Sequence, residues 1–376
     1  MRVAHISTRL SNYGGEICLA NLARGFVERG HQVSCIVRPP SELATQFVGS
    51  NVDVVPQEMI DWFDVGTIRR VRRWLCDHPV DILASHTPRD HFIASVASHG
   101  LDVCNVATRH QLKPLSFPVF KRPFLRKFGA VIAVSEAVAV GVHQASWLPK
   151  SRVVTVLNGV ADPVPVGPQA GVRASLGLAA GTPLVGLIGK RCPEKGADVI
   201  LRAAARDGLR QLPFHLVLIG DGDERYTEHL QALSAKLGLQ DRVHFLPYIS
   251  QVANVMHELD VLVVASHAEP FGLVTVEALA ASVPVVATDQ GGSPEIISDG
   301  REGFLVPPQA ESDLANRLEC LLMSPGLRRE MGARGRNRYL AQFSLERMVL
   351  ETESVYQNAL RTFRESIART SKDATA

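Results

Sequence analysis

The sequence contains no C-x-x-C pair, although it has six cysteines, at Cys18, Cys35, Cys76, Cys104, Cys192 and Cys320. That excludes the usual spacing of a structural zinc site, and no metal ligand set is expected. Several of the six sit in apolar runs, as buried thiols do, which suits a reducing compartment. No stretch approaches 18 uninterrupted apolar residues, so no transmembrane helix is expected. The opening Met1-Arg2-Val3-Ala4-His5-Ile6-Ser7 is too short an apolar run for a secretory leader. Neither sign of charge prevails: 40 Lys and Arg stand against 38 Asp and Glu, a net +2. A general nucleic-acid binder would be far more basic. No internal repeat is evident. The simplest location left by these absences is the cytoplasm.

What is present is alternation. A chain of 376 residues, 46% hydrophobic, is comfortable as two domains. Short β-branched runs at Val3–Ser7, Val33–Val37, Asp81–Ser85, Val103–Ala107, Val131–Val134 and Val153–Val156 read as strands. Segments of helical periodicity lie between them, such as Ile17–Arg29 and His91–His99. The alternation restarts with Leu184–Ile188, His215–Ile219, Val243–Leu246, Val261–Val264, Pro284–Ala287 and Phe304–Val306. Helices are expected there at Ala197–Arg206, Glu224–Leu237 and Leu314–Met323. Between the two series, Asn158 to Pro168 holds three prolines and two glycines and cannot be a regular element. The expected class is therefore α/β, with two Rossmann-like, doubly wound parallel-sheet domains facing across a cleft. The first spans residues 1–160, a linker 161–168 and the second 169–344. A last helix over 345–367 is expected to pack back on the first domain.

The chemistry-bearing residues follow the candidate strands. Glu269-Pro270-Phe271-Gly272-Leu273 reads as a loop after Val261–Val264, and Val274 to Ala281 as a helix. Glu269 and Glu277 thus flank a helix start, whose N–H groups favour an anion. A capping acid and a solvated one is the plainer alternative. Gly189-Lys190-Arg191-Cys192-Pro193-Glu194-Lys195-Gly196 gathers three cations at a strand's carboxyl end, where a diphosphate would bind; a solvated basic loop is the alternative. Gly220-Asp221-Gly222 follows another strand, and Gly291-Gly292-Ser293-Pro294-Glu295 precedes Asp299-Gly300-Arg301-Glu302-Gly303-Phe304-Leu305-Val306-Pro307-Pro308. Near the start, Tyr13-Gly14-Gly15-Glu16 opens a helix. It is not G-x-G-x-x-G, so a dinucleotide fingerprint gains no support. His86 and His110 each follow a strand of the first series.

Taken in order, these blocks resemble the retaining glycosyltransferases of family 4, which have the GT-B fold. The resemblance runs from Gly14 to Pro308. Glu269 and Glu277 match that family's Glu-seven-residues-Glu motif, and Lys195 its phosphate lysine. Lys190 stands where an arginine is usual, and Pro247 where a glycine is frequent. The resemblance implies transfer of a sugar from a nucleotide-diphosphate sugar to a hydroxyl acceptor, without cofactor or metal. It implies catalytic roles for His110, Glu269, Lys190 and Lys195. It places Gly15, Arg191, Gly220, Gly222, Phe271, Gly272, Leu273 and Glu277 around the donor, and Gly14, Glu16 and His86 on the acceptor side. A nucleotide-sugar epimerase or phosphorylase of the same architecture, and a binding protein without turnover, are the rival readings.

Residues 60–130 hold eleven Lys or Arg against six Asp. The clusters are Arg69-Arg70-Val71-Arg72-Arg73-Trp74 and Phe120-Lys121-Arg122-Pro123-Phe124-Leu125-Arg126-Lys127-Phe128. A solvated basic face is one reading. The other is peripheral contact with an anionic membrane, or with a lipid-linked or phosphorylated glycan, as in envelope synthesis. The sequence leaves sugar, base, acceptor and oligomeric state open.

Overall fold

The computed structural model describes residues 1–11, 14–59, 64–115, 119, 122–164, 171–179, 181–249 and 251–373. It divides into two units. One is Met1–Ala161 with Leu345–Ala376; the other is Asp162–Ser344. Part of the expected linker, residues 165–168, lies outside the described residues.

The first unit holds a seven-stranded sheet. Its strands are β1 (Arg2–Ser7), β2 (Gln32–Val37), β3 (Asp53–Pro56), β4 (Ile82–Ser85), β5 (Cys104–Arg109), β6 (Ala130–Ala133) and β7 (Val153–Thr155), in the order β3-β2-β1-β4-β5-β6-β7. The second holds β8 (Leu184–Ile188), β9 (His215–Ile219), β10 (Val243–Leu246), β11 (Val261–Val264), β12 (Val285–Thr288) and β13 (Gly303–Val306), in the order β10-β9-β8-β11-β12-β13. Pairings such as β1 with β4 and β8 with β11 are parallel. Helices cover both faces of such sheets, so the central strands are apolar all round. Every residue of β4 and of β11 is buried.

β3 was not expected from the sequence. It is four residues long, opens on Asp53 and ends on Pro56 at the sheet's edge, where a missing N–H is tolerated. The helix Pro325–Gln342 was also not expected. It buries only Met331, Gly332, Gly335 and Tyr339 among charged neighbours, so its apolar stripe is faint.

The last helix, Leu345–Asp373, belongs to the first unit. Its Met348, Val349, Tyr356, Ala359 and Leu360 share a core with Leu19, Phe26, Val33 and Val106. Glu353 fastens it, accepting from Arg29 Nε at 2.6 Å and lying 2.8 Å from His31 Nε2. The second unit has its own core, including Leu187, Ile200, Leu216, Val263 and Leu318.

Parallel strands bring their carboxyl ends to one edge of each sheet. The loops after β1, β4 and β5 meet at that edge of the first unit, and those after β8, β9, β11 and β12 at that of the second. Among the described residues no helix is long and apolar enough to cross a membrane.

Candidate active site

In the second unit, the loops after β8 and β11 are joined by an ion pair. Lys195 Nζ lies 2.5 Å from Glu269 Oε1, which also accepts from Ser266 Oγ at 2.6 Å. The backbone reinforces this contact, His267 N donating to Glu194 O at 2.9 Å. Lys195 closes the short turn Pro193–Lys195 ahead of the helix Ala197–Ala204. Glu269 is 8% exposed, so its charge is held by the two donors rather than by water.

The helix that follows runs Leu273–Ala280, with Gly272 at its N-cap. Its first N–H groups have no partner within the helix and lie one loop from the ion pair. Phe271 serves the core instead: it is 2% exposed and meets Phe343 edge-on at 6.1 Å. Glu277 stands on the same helix. No hydrogen bond or ion pair reaches its carboxylate among the described residues, and burial pushes its pKa up to about 7.

Lys190 is exposed. The guanidinium of Arg191 is engaged internally, donating to Leu246 O at 2.8 Å and to Thr227 Oγ1 at 3.2 Å. Gly220 and Gly222 serve as close-approach points between neighbouring loops. A Cβ on Gly220 would lie 2.2 Å from Gly189 O, and one on Gly222 2.3 Å from Arg191 O. The same is true of the later pair. A Cβ on Gly291 would lie 2.0 Å from Glu269 O, and Gly292 N donates to that same carbonyl at 2.8 Å. These glycines thus hold the Glu269 loop by its backbone. The Asp221-Gly222-Asp223 spacing has a structural use too: Asp221 accepts from Tyr248 N, and Asp223 caps the helix Glu224–Lys236 through Tyr226 N, both at 3.1 Å.

In the first unit, Gly14 opens the helix Gly14–Glu28; Tyr13 lies outside the described residues. Gly15 sits against His110, where a Cβ would lie 3.6 Å from the ring. Glu16 is buried in the first turn and pairs with Arg9 Nε at 3.3 Å. His110, just beyond β5, has its pKa lowered to about 4 by burial, with Arg9 and Arg109 adding to the effect. Its ring is therefore neutral at pH 7. It stacks on His86 at 5.8 Å. His86 is 7% exposed and its Nε2 lies 3.1 Å from His5 Nδ1.

Three residues went unread in the sequence. His5 lies inside a strand, and a polar residue there gives no hint of its partner on β4's far end. Asp90 accepts from Thr8 N and Thr87 N, each at 3.0 Å, and binds the loop after β1 to the helix Pro88–Ala97. Its signal was available as the capping box Thr87-x-x-Asp90. Ser266 carried no signal of its own. Of the basic segment 120–128, residues 120 and 121 and the side chain of Phe124 lie outside the described residues. Arg126 Nε donates to Trp147 O at 3.2 Å.

Two family models divide the chain between them. Residues 13–162 match Glycosyltransferase Family 4 and residues 170–338 match Glycosyl transferases group 1. The chain belongs to the GT-B glycosyltransferases of family 4. Curated relatives include the D-inositol 3-phosphate glycosyltransferases of Nocardia farcinica, 40% identical over 45% of this chain, and Mycolicibacterium smegmatis, 36% identical over 60%. The matched stretches span 39% and 51% of those relatives' own lengths. Among solved GT-B structures, a glycosyltransferase from Rickettsia africae superposes with a TM-score of 0.83 at 20% identity, covering 96% of this chain and 98% of that one. Anabaena HepE in complex with UDP gives 0.80 at 22% identity, covering 99% and 100%.

Proposed function

We propose that the protein transfers a glycosyl group from a nucleoside-diphosphate sugar to a hydroxyl acceptor, with retention at the anomeric carbon. One observation carries this reading: the Lys195–Glu269 pair sits at the carboxyl ends of β8 and β11, immediately before a helix start that bears Glu277. Lys195 and the exposed Lys190 face the diphosphate, whose negative charge grows as it leaves, so no metal is called on. Glu269, fixed by Lys195 and Ser266, accepts hydrogen bonds from hydroxyls of the sugar, and the N–H groups of Gly272 and Leu273 donate to the sugar from the other side. Glu277 takes the ribose hydroxyls. His110 is the group of the first unit assigned to the reacting sugar.

In the step itself the bond from the anomeric carbon to the phosphate oxygen breaks. The acceptor oxygen bonds to that carbon on the same face, and its proton passes to the departing phosphate oxygen. A uridine nucleotide donor is supported by HepE, which has been solved with UDP-glucose. A phosphorylated acceptor is supported by the relatives named for D-inositol 3-phosphate and by the basic first unit. The experiment is incubation with a panel of nucleotide sugars and with phosphorylated and lipid-linked acceptors. Nucleotide release is followed, and the product's anomeric configuration is read by NMR. An inverted product would overturn retention and make His110 a general base. Lys195→Ala is expected to weaken UDP binding about 10- to 100-fold, as a charge-assisted contact of 1.5–3 kcal/mol is lost. Calorimetry showing unchanged affinity would remove Lys195 from the diphosphate.

A further inference from the structure

Three imidazoles stand in a row in the first unit. His5 comes from the middle of β1, His86 from the end of β4 and His110 from the end of β5. His5 is fully enclosed, at 0% exposure, and His86 nearly so at 7%. A single hydrogen bond joins them, His5 Nδ1 to His86 Nε2 at 3.1 Å. His5 Nε2, His86 Nδ1 and His110 Nε2 are buried with no hydrogen-bond partner among the described residues. His86 and His110 also line one small cavity of about 20 Å³, together with Thr108, Asn158 and Thr352. That is room for about one water molecule.

The bond between the two rings couples their tautomers. One nitrogen of the pair must carry the shared proton and the other must offer its lone pair. Both rings are neutral, so only two states are open. In one, both rings are protonated on Nδ1; the unmatched N–H then belongs to His86, a residue that lines the cavity. In the other, both are protonated on Nε2; the unmatched N–H then belongs to His5, which has no exposure at all. An N–H buried without an acceptor is the rarer and costlier orphan, and a bare lone pair is better tolerated. The first state puts the N–H on the ring that lines the cavity rather than on the ring that is fully enclosed.

We propose that His5 is a positioning residue: by donating from Nδ1 it holds His86, on which the His110 ring stacks, in the Nδ1-protonated tautomer. His86 in turn presents a neutral, oriented face on which the His110 ring stacks. The consequence for turnover rests on the reading of His110 as the group that meets the reacting sugar; the tautomer assignment does not.

The test has two arms that separate these. In the ligand-free full-length protein, long-range ¹⁵N correlation spectra report which nitrogen of each ring is protonated. Both His5 and His86 are expected on Nδ1, and a proton on His86 Nε2 overturns the proposal whatever the activity. In the second arm, His5→Asn keeps an amide donor near the Nδ1 position and His5→Leu removes it. His5→Leu is expected to lower kcat about tenfold with KM for the nucleotide sugar unchanged, as loss of an orienting partner does, while His5→Asn keeps most of the rate. Equal losses in the two variants, or none in either, overturn the link to turnover. Should His5→Leu fail to fold, the wild-type spectrum and the comparison of His5→Asn with His5→Gln, whose amide reaches the Nε2 position, decide the matter. A wild-type protein that transfers no sugar would overturn the proposed function and leave the tautomers readable.

Discussion

Glu277 carries a carboxyl in surroundings of the second unit that disfavour its charge. A carboxyl pushed up to about 7 by burial binds its proton more tightly folded than unfolded. Its contribution to stability is therefore fully present below the unfolded value of 4.5 and is lost as pH rises through about 7. Glu277→Gln removes that loss. At pH 8 the variant is expected to be more stable than the wild type by about 2–3 kcal/mol, and at pH 4.5 nearly equal to it. Urea denaturation at the two pH values checks this, and a difference that does not change with pH would count against a half-buried Glu277 whose carboxyl is held above its ordinary value. The same residue was legible in the sequence as one of a pair of acids around a helix start. Its protonation was not, because burial depends on what packs above the helix. His5 shows the converse. Its position in a strand is plain, while its partner stands 81 residues away.

Strands and helices carry most of what could be read in advance. β8, β9 and β11, central in their sheet, coincide with the β-branched runs, because a strand buried on both faces has little choice of composition. β3 escaped notice because an edge strand does not need that composition. Loops were legible as motifs but only partly as roles. Gly291 and Gly292 read from the sequence as part of a loop motif, and the structure uses them to let one loop lie against the backbone of Glu269 and Phe271. Gly291 adopts φ +67° and has Glu269 O where its Cβ would be. Gly291→Ala therefore forces the Glu269 loop to shift or strain, and is expected to cost at least about 2 kcal/mol. UDP affinity should fall with it, since Lys195 and Glu269 move with that loop. Chemical denaturation and calorimetric titration on the same preparation read both; an unperturbed variant would show that the two loops are not held in register by this contact.

At the level of the whole chain, the first unit is built from two separated stretches. The chain completes Met1–Ala161, forms Asp162–Ser344, and only then supplies the helix Leu345–Asp373 that closes the first unit's core. That helix buries Met348, Val349, Tyr356, Ala359 and Leu360, each under 9% exposed, and Tyr356 packs against Phe26 at 5.4 Å. At about 1.5–3 kcal/mol for a large apolar side chain, the loss of the helix removes on the order of 10 kcal/mol. That matches the entire stability of an ordinary domain, about 5–15 kcal/mol. A chain ending at Ser344 is thus expected to keep a folded second unit and lose the first. Residues 162–344 expressed alone should melt cooperatively, and residues 1–161 alone should not. Calorimetry and amide spectra of the three fragments distinguish these outcomes. A cooperative transition from residues 1–161 by themselves would show that the returning helix adorns a core already complete, and the two-stretch construction would then have no thermodynamic consequence.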